Sequence, residues 1–335
     1  MPPRIALVHQ FQHHQDETWD AHFSLDGTRL VSSDGHALYL WQLNERGGWD
    51  YERSLLFRGA TFPRFAPNGT MLAFGSVEKF IRLISVEGKE LAAFPSPSHA
   101  HWAFSPDGRW LVRSDTGPTI VLWDLTTYQS TSIPISFPAL DEAVFGLQFT
   151  PDGQRLVLGI SSPEGYVHIC HFDPEHQCIR RQKTLPRQSI IASAIAPNGK
   201  MLAIMDSKRG LGPYEPEVFL YDLESFQLLW KLPQTTEDEG RYSLLIFSPD
   251  SQFLMSSKDN GMVDIWSLSA FERLVTFAAH PELTSQWSDP IGGLDWSKTG
   301  FLVTGGASVF ENDMLKTDYS IKIWKREDEW YTYGK

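Results

Sequence analysis

Apolar positions along this chain come in short runs, and polar turn sequences interrupt them at a nearly constant interval. The turn has one recurring form: Phe23-Ser-Leu-Asp-Gly27, Phe65-Ala-Pro-Asn-Gly69, Phe104-Ser-Pro-Asp-Gly108, Phe149-Thr-Pro-Asp-Gly153, Ile195-Ala-Pro-Asn-Gly199, Phe247-Ser-Pro-Asp-Ser251 and Trp296-Ser-Lys-Thr-Gly300. These seven copies lie 42, 39, 45, 46, 52 and 49 residues apart. Each is followed by an apolar pair or run, such as Leu30-Val31, Leu111-Val112 or Leu156-Val157. A second apolar run then follows, often centred on an aromatic residue: Leu38–Leu43, Ile81–Val86, Ile120–Leu125, Val167–Phe172, Val218–Leu223, Val263–Leu268 and Ile321–Arg326. Strict alternation of two phrases at this period marks a repeat architecture.

The first phrase is a tight hairpin. Pro presets φ near its turn value, Asp bonds its own backbone, and Gly accepts positive φ. Short strands rich in Val, Ile, Leu and aromatics flank it. Four strands per repeat are predicted, a to d: a leads into the turn, b leaves it, c carries the aromatic, and d precedes the next repeat. Examples of d are Ser54–Phe57, Leu91–Phe94, Leu228–Leu232 and Leu274–Phe277. Runs as apolar as Ile120-Val-Leu-Trp123 must be covered on both faces. Four-stranded sheets stacked radially on like sheets supply that cover and limit exposed edges. The expected fold is therefore all-β, a single seven-bladed β-propeller of four-stranded antiparallel blades over residues 1–335. Small residues in Ile191–Ala196 suit a crowded innermost strand.

Phe-Ser-Pro-Asp-Gly followed by a strand ending Leu122-Trp-Asp-Leu125 resembles the WD-repeat family, and the resemblance covers the whole chain. Trp123-Asp124 is nearest its pattern; Trp41, Trp266 and Trp324 keep the Trp alone. The family's turn acid, six residues before the Trp, matches Asp318 and is approximated by Asp34, Glu78, Asp115, Glu164 and Asp259. Its histidine before strand a is matched by His14, with no counterpart expected in other blades, and His14 is expected to bond a turn acid. The buried His–Asp–Ser–Trp network of the family is thus expected to be partial. Two hairpin turns depart from the pattern, where Ser251 replaces Gly and Trp296-Ser-Lys-Thr lacks Pro.

The ring must join its ends. Arg4–His9 reads as a strand and is expected to form the outer strand of blade 7 beside Ile321–Trp324; Glu329–Tyr333 is the rival. The long segments, 136–143, 206–217, 234–241, 280–290 and 307–319, fall between b and c or between d and the next a. In a propeller these loops share one face, and binding residues concentrate on loops carried by a rigid scaffold. Candidate partner-binding residues on that face are Trp19, His101, Phe145, Tyr214, Asp238, Glu239, Arg241, Tyr242, Trp287, Phe310 and Asp313. Phe62 also stands at the start of an a strand, where inter-blade packing competes as an explanation. Aromatic anchors favour interfaces, whereas solvated insertions cost little closure entropy.

Composition narrows the partner. With 29 basic and 41 acidic residues the net charge is −12, which argues against nucleic acid and anionic membranes. No apolar run reaches the length of a membrane span. Two cysteines form no disulfide scaffold, and a cytoplasmic location is expected. Cys170, Cys178, His168 and His176 read as cross-strand neighbours with zinc-type donors, against a bland alternative of one buried Cys among surface histidines. No nucleophile elbow, phosphate loop or zinc-helix motif is present in the sequence. No cofactor is expected. The expected function is a non-catalytic scaffold for a protein or peptide bearing basic and apolar groups. Alternatives are a lactonase-like or other propeller hydrolase with a site at the channel mouth, and a regulatory or sensory module of a larger signalling assembly. The oligomeric state stays open.

Overall fold

Successive side chains of Thr119–Asp124, strand c of blade 3, serve two different interfaces. Ile120 and Leu122 pack with Leu147, Leu156 and Cys170 of blade 4. Val121 and Trp123 pack with Ala73, Leu83 and Phe94 of blade 2. A strand's side chains alternate between its faces, so a strand covered on both must be apolar at every position. That is the physical reason for the unbroken run Ile120-Val-Leu-Trp123.

The computed structural model describes residues 4–97, 101–114, 119–134, 143–161, 165–176, 178–187, 190–207, 216–233, 240–281, 291–311 and 314–326. They form seven four-stranded antiparallel sheets, the blades of a seven-bladed β-propeller, with no helix among the described residues. The chain divides into two compact units: residues 1–65 with 237–240 and 246–335, and residues 66–236 with 241–245.

In the first unit, blade 1 packs on blade 7. Phe23, Leu30, Tyr39, Trp41 and Trp49 share a core with Phe301, Val303, Ile321 and Ile323. The N-terminal strand Ile5–Phe11 pairs antiparallel with Ile321–Arg326, Phe11 opposite Ile321, and so completes blade 7. The sequence expectation for ring closure holds in that strand; the rival 329–333 lies outside the described residues. Phe11 also stacks on Trp41 of blade 1, with ring centroids 4.2 Å apart.

In the second unit, blade 4 packs on blade 5 by the same logic. Val157, Val167 and Ile169 meet Leu202, Ile204, Tyr221 and Leu223. The hairpin turns add a repeated contact of their own. Pro67 lies beside Gly108, Pro106 beside Gly153, and Pro151 beside Gly199, each at 3.6–3.8 Å from where a Cβ would sit. The Pro and Gly of the recurring phrase thus shape one turn and also seat it against the next.

The first residue of that turn matters as well. Ser105 Oγ accepts from Trp110 N at 2.8 Å and donates to Asp107 Oδ1 at 2.5 Å. Ser24, Thr150 and Ser248 do the same for their own turns. Ser251, which replaces Gly in blade 6, still adopts φ 59°, so the turn geometry survives the substitution. The segment 307–319, read from sequence as a loop, carries its own hairpin, Ser308–Glu311 paired with Met314–Thr317.

Candidate functional site

Trp19 leads into strand a of blade 1 and remains 37% exposed. Its ring lies over Gly35 in the b–c turn, where an added Cβ would approach to 3.3 Å. Gly35 also has φ +77°, which glycine adopts without steric cost. Gly35 O in turn accepts from Gly59 N at 2.5 Å, tying the b–c turn to the loop that leads into blade 2. On that loop Leu56 is 86% exposed, and Phe62, at the start of the next a strand, is 55% exposed. Phe62 holds φ 51° immediately before Pro63. A bulky side chain in the left-handed region is uncommon, and a following proline restricts it further. Three exposed apolar groups on linked loops, Phe62 among them on strained backbone, form a platform in the first unit. Asp16 and Glu17 stand next to it in sequence, and both, behind burial, help raise the phenol pKa of Tyr319.

The other candidates fall in different surroundings. His101 is half-buried, its backbone N–H donating to Ser114 Oγ at 3.1 Å. Tyr242 is buried, and its hydroxyl donates to Pro233 O at 2.9 Å, a packing position. Arg241 is half-buried. Phe145 falls in the strand Ala143–Phe149 and Phe310 in Ser308–Glu311. Tyr214, Asp238, Glu239, Trp287 and Asp313 lie outside the described residues. Leu56 was missed because Leu55-Leu56-Phe57 reads as the end of a strand; the strand stops at Leu55.

Three polar networks are formed in the first unit. In blade 7, Trp324 Nε1 donates to Thr304 Oγ1 at 3.0 Å, Thr304 Oγ1 meets His280 Nε2 at 3.1 Å, and His280 Nδ1 meets Asp318 Oδ2 at 2.7 Å. The expectation that no blade beyond the first carries the histidine is therefore corrected. His280 stands 16 residues before Trp296, whereas His14 stands nine before Phe23, because the intervening loop is longer. Hydrogen bonds from His280, Lys322 and Ser320 outweigh burial and hold the Asp318 carboxyl well below its ordinary range. In blade 1 the expected bond from His14 to the turn acid is replaced. His14 Nε2 meets Ser32 Oγ at 2.9 Å, while Asp34 accepts from Tyr39 and from the backbone of Gln15, His36 and Ala37. Burial lowers the His14 pKa to about 4. A polar cavity of about 440 Å³ opens between these networks, lined by Gln10, Gln12, His14, Asp318, Tyr319 and Lys322 among others.

The third network joins the innermost strands of three blades. His22 of blade 1 lies between Asp20, 2.8 Å from Nε2, and Asp295 of blade 7, 3.3 Å from Nδ1. Asp295 Oδ2 also accepts from Phe23 N at 2.8 Å, and Arg64 of blade 2 donates to Asp20 at 2.6 Å. Asp295, His22 and Arg64 each occupy the position just before the aromatic of the turn phrase.

The proposed cysteine–histidine grouping in blade 4 is not assembled. Strands Tyr166–Asp173 and Cys178–Pro186 pair with Cys170 opposite Arg181 and Cys178 opposite Asp173. His168 bonds Thr184 and His176 bonds Asp173. No group of three metal-ligating side chains is found among the described residues.

Residues 5–42 match the family described as WD domain, G-beta repeat. That match spans strand d of blade 7 and strands a to c of blade 1. No curated protein matches the chain. Propellers of this family are commonly protein-interaction scaffolds.

Proposed function

We propose that this chain is a non-catalytic cytoplasmic scaffold that binds a protein or peptide through its b–c and d–a loops. The observation that carries the reading is Phe62, a bulky side chain kept 55% exposed at φ 51°. Folding gains nothing from holding an aromatic outward on strained backbone, and such strain clusters at binding sites. Trp19 and Leu56 extend the apolar surface, and aromatic anchors dominate interface energetics. Asp16 and Glu17 add negative charge next to it in sequence, and the longer segments contribute the candidate acids Asp238, Glu239 and Asp313, a balance suited to a partner with basic groups. Trp287 and Phe310 are further candidate anchors by sequence, and His101, Phe145, Tyr214 and Arg241 are the candidates of the second unit, Tyr242 being a buried packing residue.

The test compares capture from a native lysate by wild type and by a Trp19→Ala, Phe62→Ala double variant whose circular dichroism and melting are unchanged. Prey retained by wild type and lost by the variant, and released as salt rises to 0.5 M, supports the reading. Equal capture by both proteins removes this surface from consideration.

A further inference from the structure

The seven outer strands are chemically uneven. Trp49–Leu55, Glu90–Pro95, Gln129–Pro134, Leu228–Lys231, Glu272–Ala278 and Ile5–Phe11 each carry a net charge between −1 and +1. Cys178–Pro186, the outer strand of blade 4, carries Arg180, Arg181 and Lys183 and no carboxylate. It is nine residues long, where the other six have four to seven. We propose that this strand is a docking surface for an acidic, extended segment of a partner protein, separate from the loop platform of blade 1.

The local structure turns the cations outward together. Arg180, Arg181, Gln182 and Lys183 are exposed in succession. A regular half-buried strand would hide every second one. Here the pairing slips: Ile169 faces Lys183 and Cys170 faces Arg181, leaving Gln182 as an extra, bulged residue. A bulge bends the strand and re-aims its side chains. Arg180 is steadied by a bond from Nε to Cys178 Sγ at 3.3 Å, and Lys183 lies 5.9 Å from the Phe226 ring. His171 sits opposite Arg180 at the same end of the strand. The nearby carboxylates of the c–d turn are engaged locally, Asp173 with His176 at 2.8 Å and Glu175 with Arg109 at 3.6 Å.

Charged residues on an edge strand also guard against sheet-to-sheet aggregation. That account would put cations on the other six edges, which lack such a cluster. In a chain of net charge −12, a three-cation strip is where an acidic segment meets attraction while most of the surface repels it. Three exposed ion pairs, each of modest strength, together amount to roughly a tenfold effect on affinity.

The probe is a fluorescein-labelled ten-residue peptide of alternating Glu and Val, followed by anisotropy at 50 and 500 mM NaCl. Binding is expected at low salt, weakened at high salt, and about tenfold weaker for an Arg180→Glu, Arg181→Glu, Lys183→Glu variant. A matching variant with Gln at all three positions guards against misfolding and is expected to weaken binding less. The Trp19→Ala, Phe62→Ala variant is expected to bind the probe like wild type, so failure here and failure of the loop platform are separable. Wild-type affinity in both strip variants overturns the proposal, as does equal binding of a Lys–Val peptide. Tighter binding of a ten-nucleotide single strand also overturns it and assigns the strip to nucleic acid.

Discussion

His280 and Asp318 meet at 2.7 Å across 38 residues of chain, and the order of donors around them is determined by chemistry. An indole N–H only donates, so Thr304 Oγ1 accepts from Trp324 and its own hydroxyl donates to His280 Nε2. Nδ1–H is then left for Asp318, which also accepts from Lys322 Nζ at 2.8 Å. His280 is wholly buried, and burial lowers its pKa. His280→Ala is expected to destabilise the fold by about 2–4 kcal/mol, because it leaves the buried Thr304 hydroxyl without an acceptor, takes one donor from the half-buried Asp318 carboxylate and opens a cavity where a wholly buried ring stood. Urea denaturation checks this. A midpoint within error of wild type would show that the network is not holding blade 7.

How much of this was readable in advance differs by level. The blades were legible, because turn chemistry and two-faced apolar strands are local signals repeated seven times. Strand c of blades 1 and 7 agrees residue for residue with the reading, Leu38–Leu43 and Ile321–Arg326. The polar networks were not, because they depend on pairs far apart in the chain. One local clue was present: the fourth residue of strand b is Ser32, Ser256 or Thr304 in blades 1, 6 and 7, where Trp41, Trp266 and Trp324 donate to it at 3.0–3.1 Å. Blades 2 to 5 have Phe74, Arg113, Leu158 and Ile204 there and cannot make that bond. At the platform, Trp19 was legible as an aromatic at the start of a strand, but the backbone strain at Phe62 leaves no sequence trace.

Removing residues 1–11 deletes the outer strand of blade 7 and exposes Trp41, on which Phe11 stacks. The loss of one edge of a four-stranded sheet and its packing is expected to exceed about 4 kcal/mol and to lower the melting temperature by about 10 °C or more. Scanning calorimetry reads this directly, and an unchanged melt would mean that blade 7 is complete without the N-terminal strand.

Glycines at close approaches and glycines in open turns should respond differently. A Cβ on Gly292 would lie 1.7 Å from Thr18 O, and one on Gly306 1.9 Å from Asp318 O, both rigid backbone atoms. Either Gly→Ala change is expected to cost about 3 kcal/mol or more, since backbone must move: blade 7 against the entry to blade 1 for Gly292, and two segments of blade 7 against each other for Gly306. Gly47 has φ +77° and nothing within 4 Å, so Gly47→Ala carries only the backbone strain, about 1 kcal/mol. Comparable denaturation midpoints for Gly47→Ala and Gly292→Ala would contradict the close contact between blades 7 and 1.

The two cysteines are expected to differ sharply in reactivity. Cys170 is fully buried, and burial pushes its thiol up to about 12. Cys178 is partly exposed and accepts a hydrogen bond from Arg180. A thiol reacts as its thiolate, so N-ethylmaleimide should modify Cys178 in the native protein and Cys170 only after unfolding. Native labelling of both residues, read by peptide mass spectrometry, would place Cys170 outside the blade core.

His22 gives the junction of blades 7 and 1 a pH dependence of defined sign. Burial and Arg64 both oppose its charge, yet Asp20 and Asp295 outweigh them and raise its pKa above the ordinary histidine value. A raised pKa favours folding while both states are protonated, below about pH 6.5, and that contribution disappears as pH rises through the folded-state value. Asp20 acts in the opposite range. Burial alone would raise it, but Arg64 and His22 hold it far below its ordinary value, so its contribution is present above about pH 3.9 and is lost on acidification. His14 and His168, both lowered to about 4 mainly by burial, instead penalise the fold as pH falls from about 6.5 toward that value, and so do not mimic His22 on the alkaline side. The stability gap between wild type and His22→Gln is therefore expected to be wider at pH 6 than at pH 9. A gap that is constant, or that widens with pH, would mean that His22 is neutral in the fold and that the two carboxylates are held apart by other means.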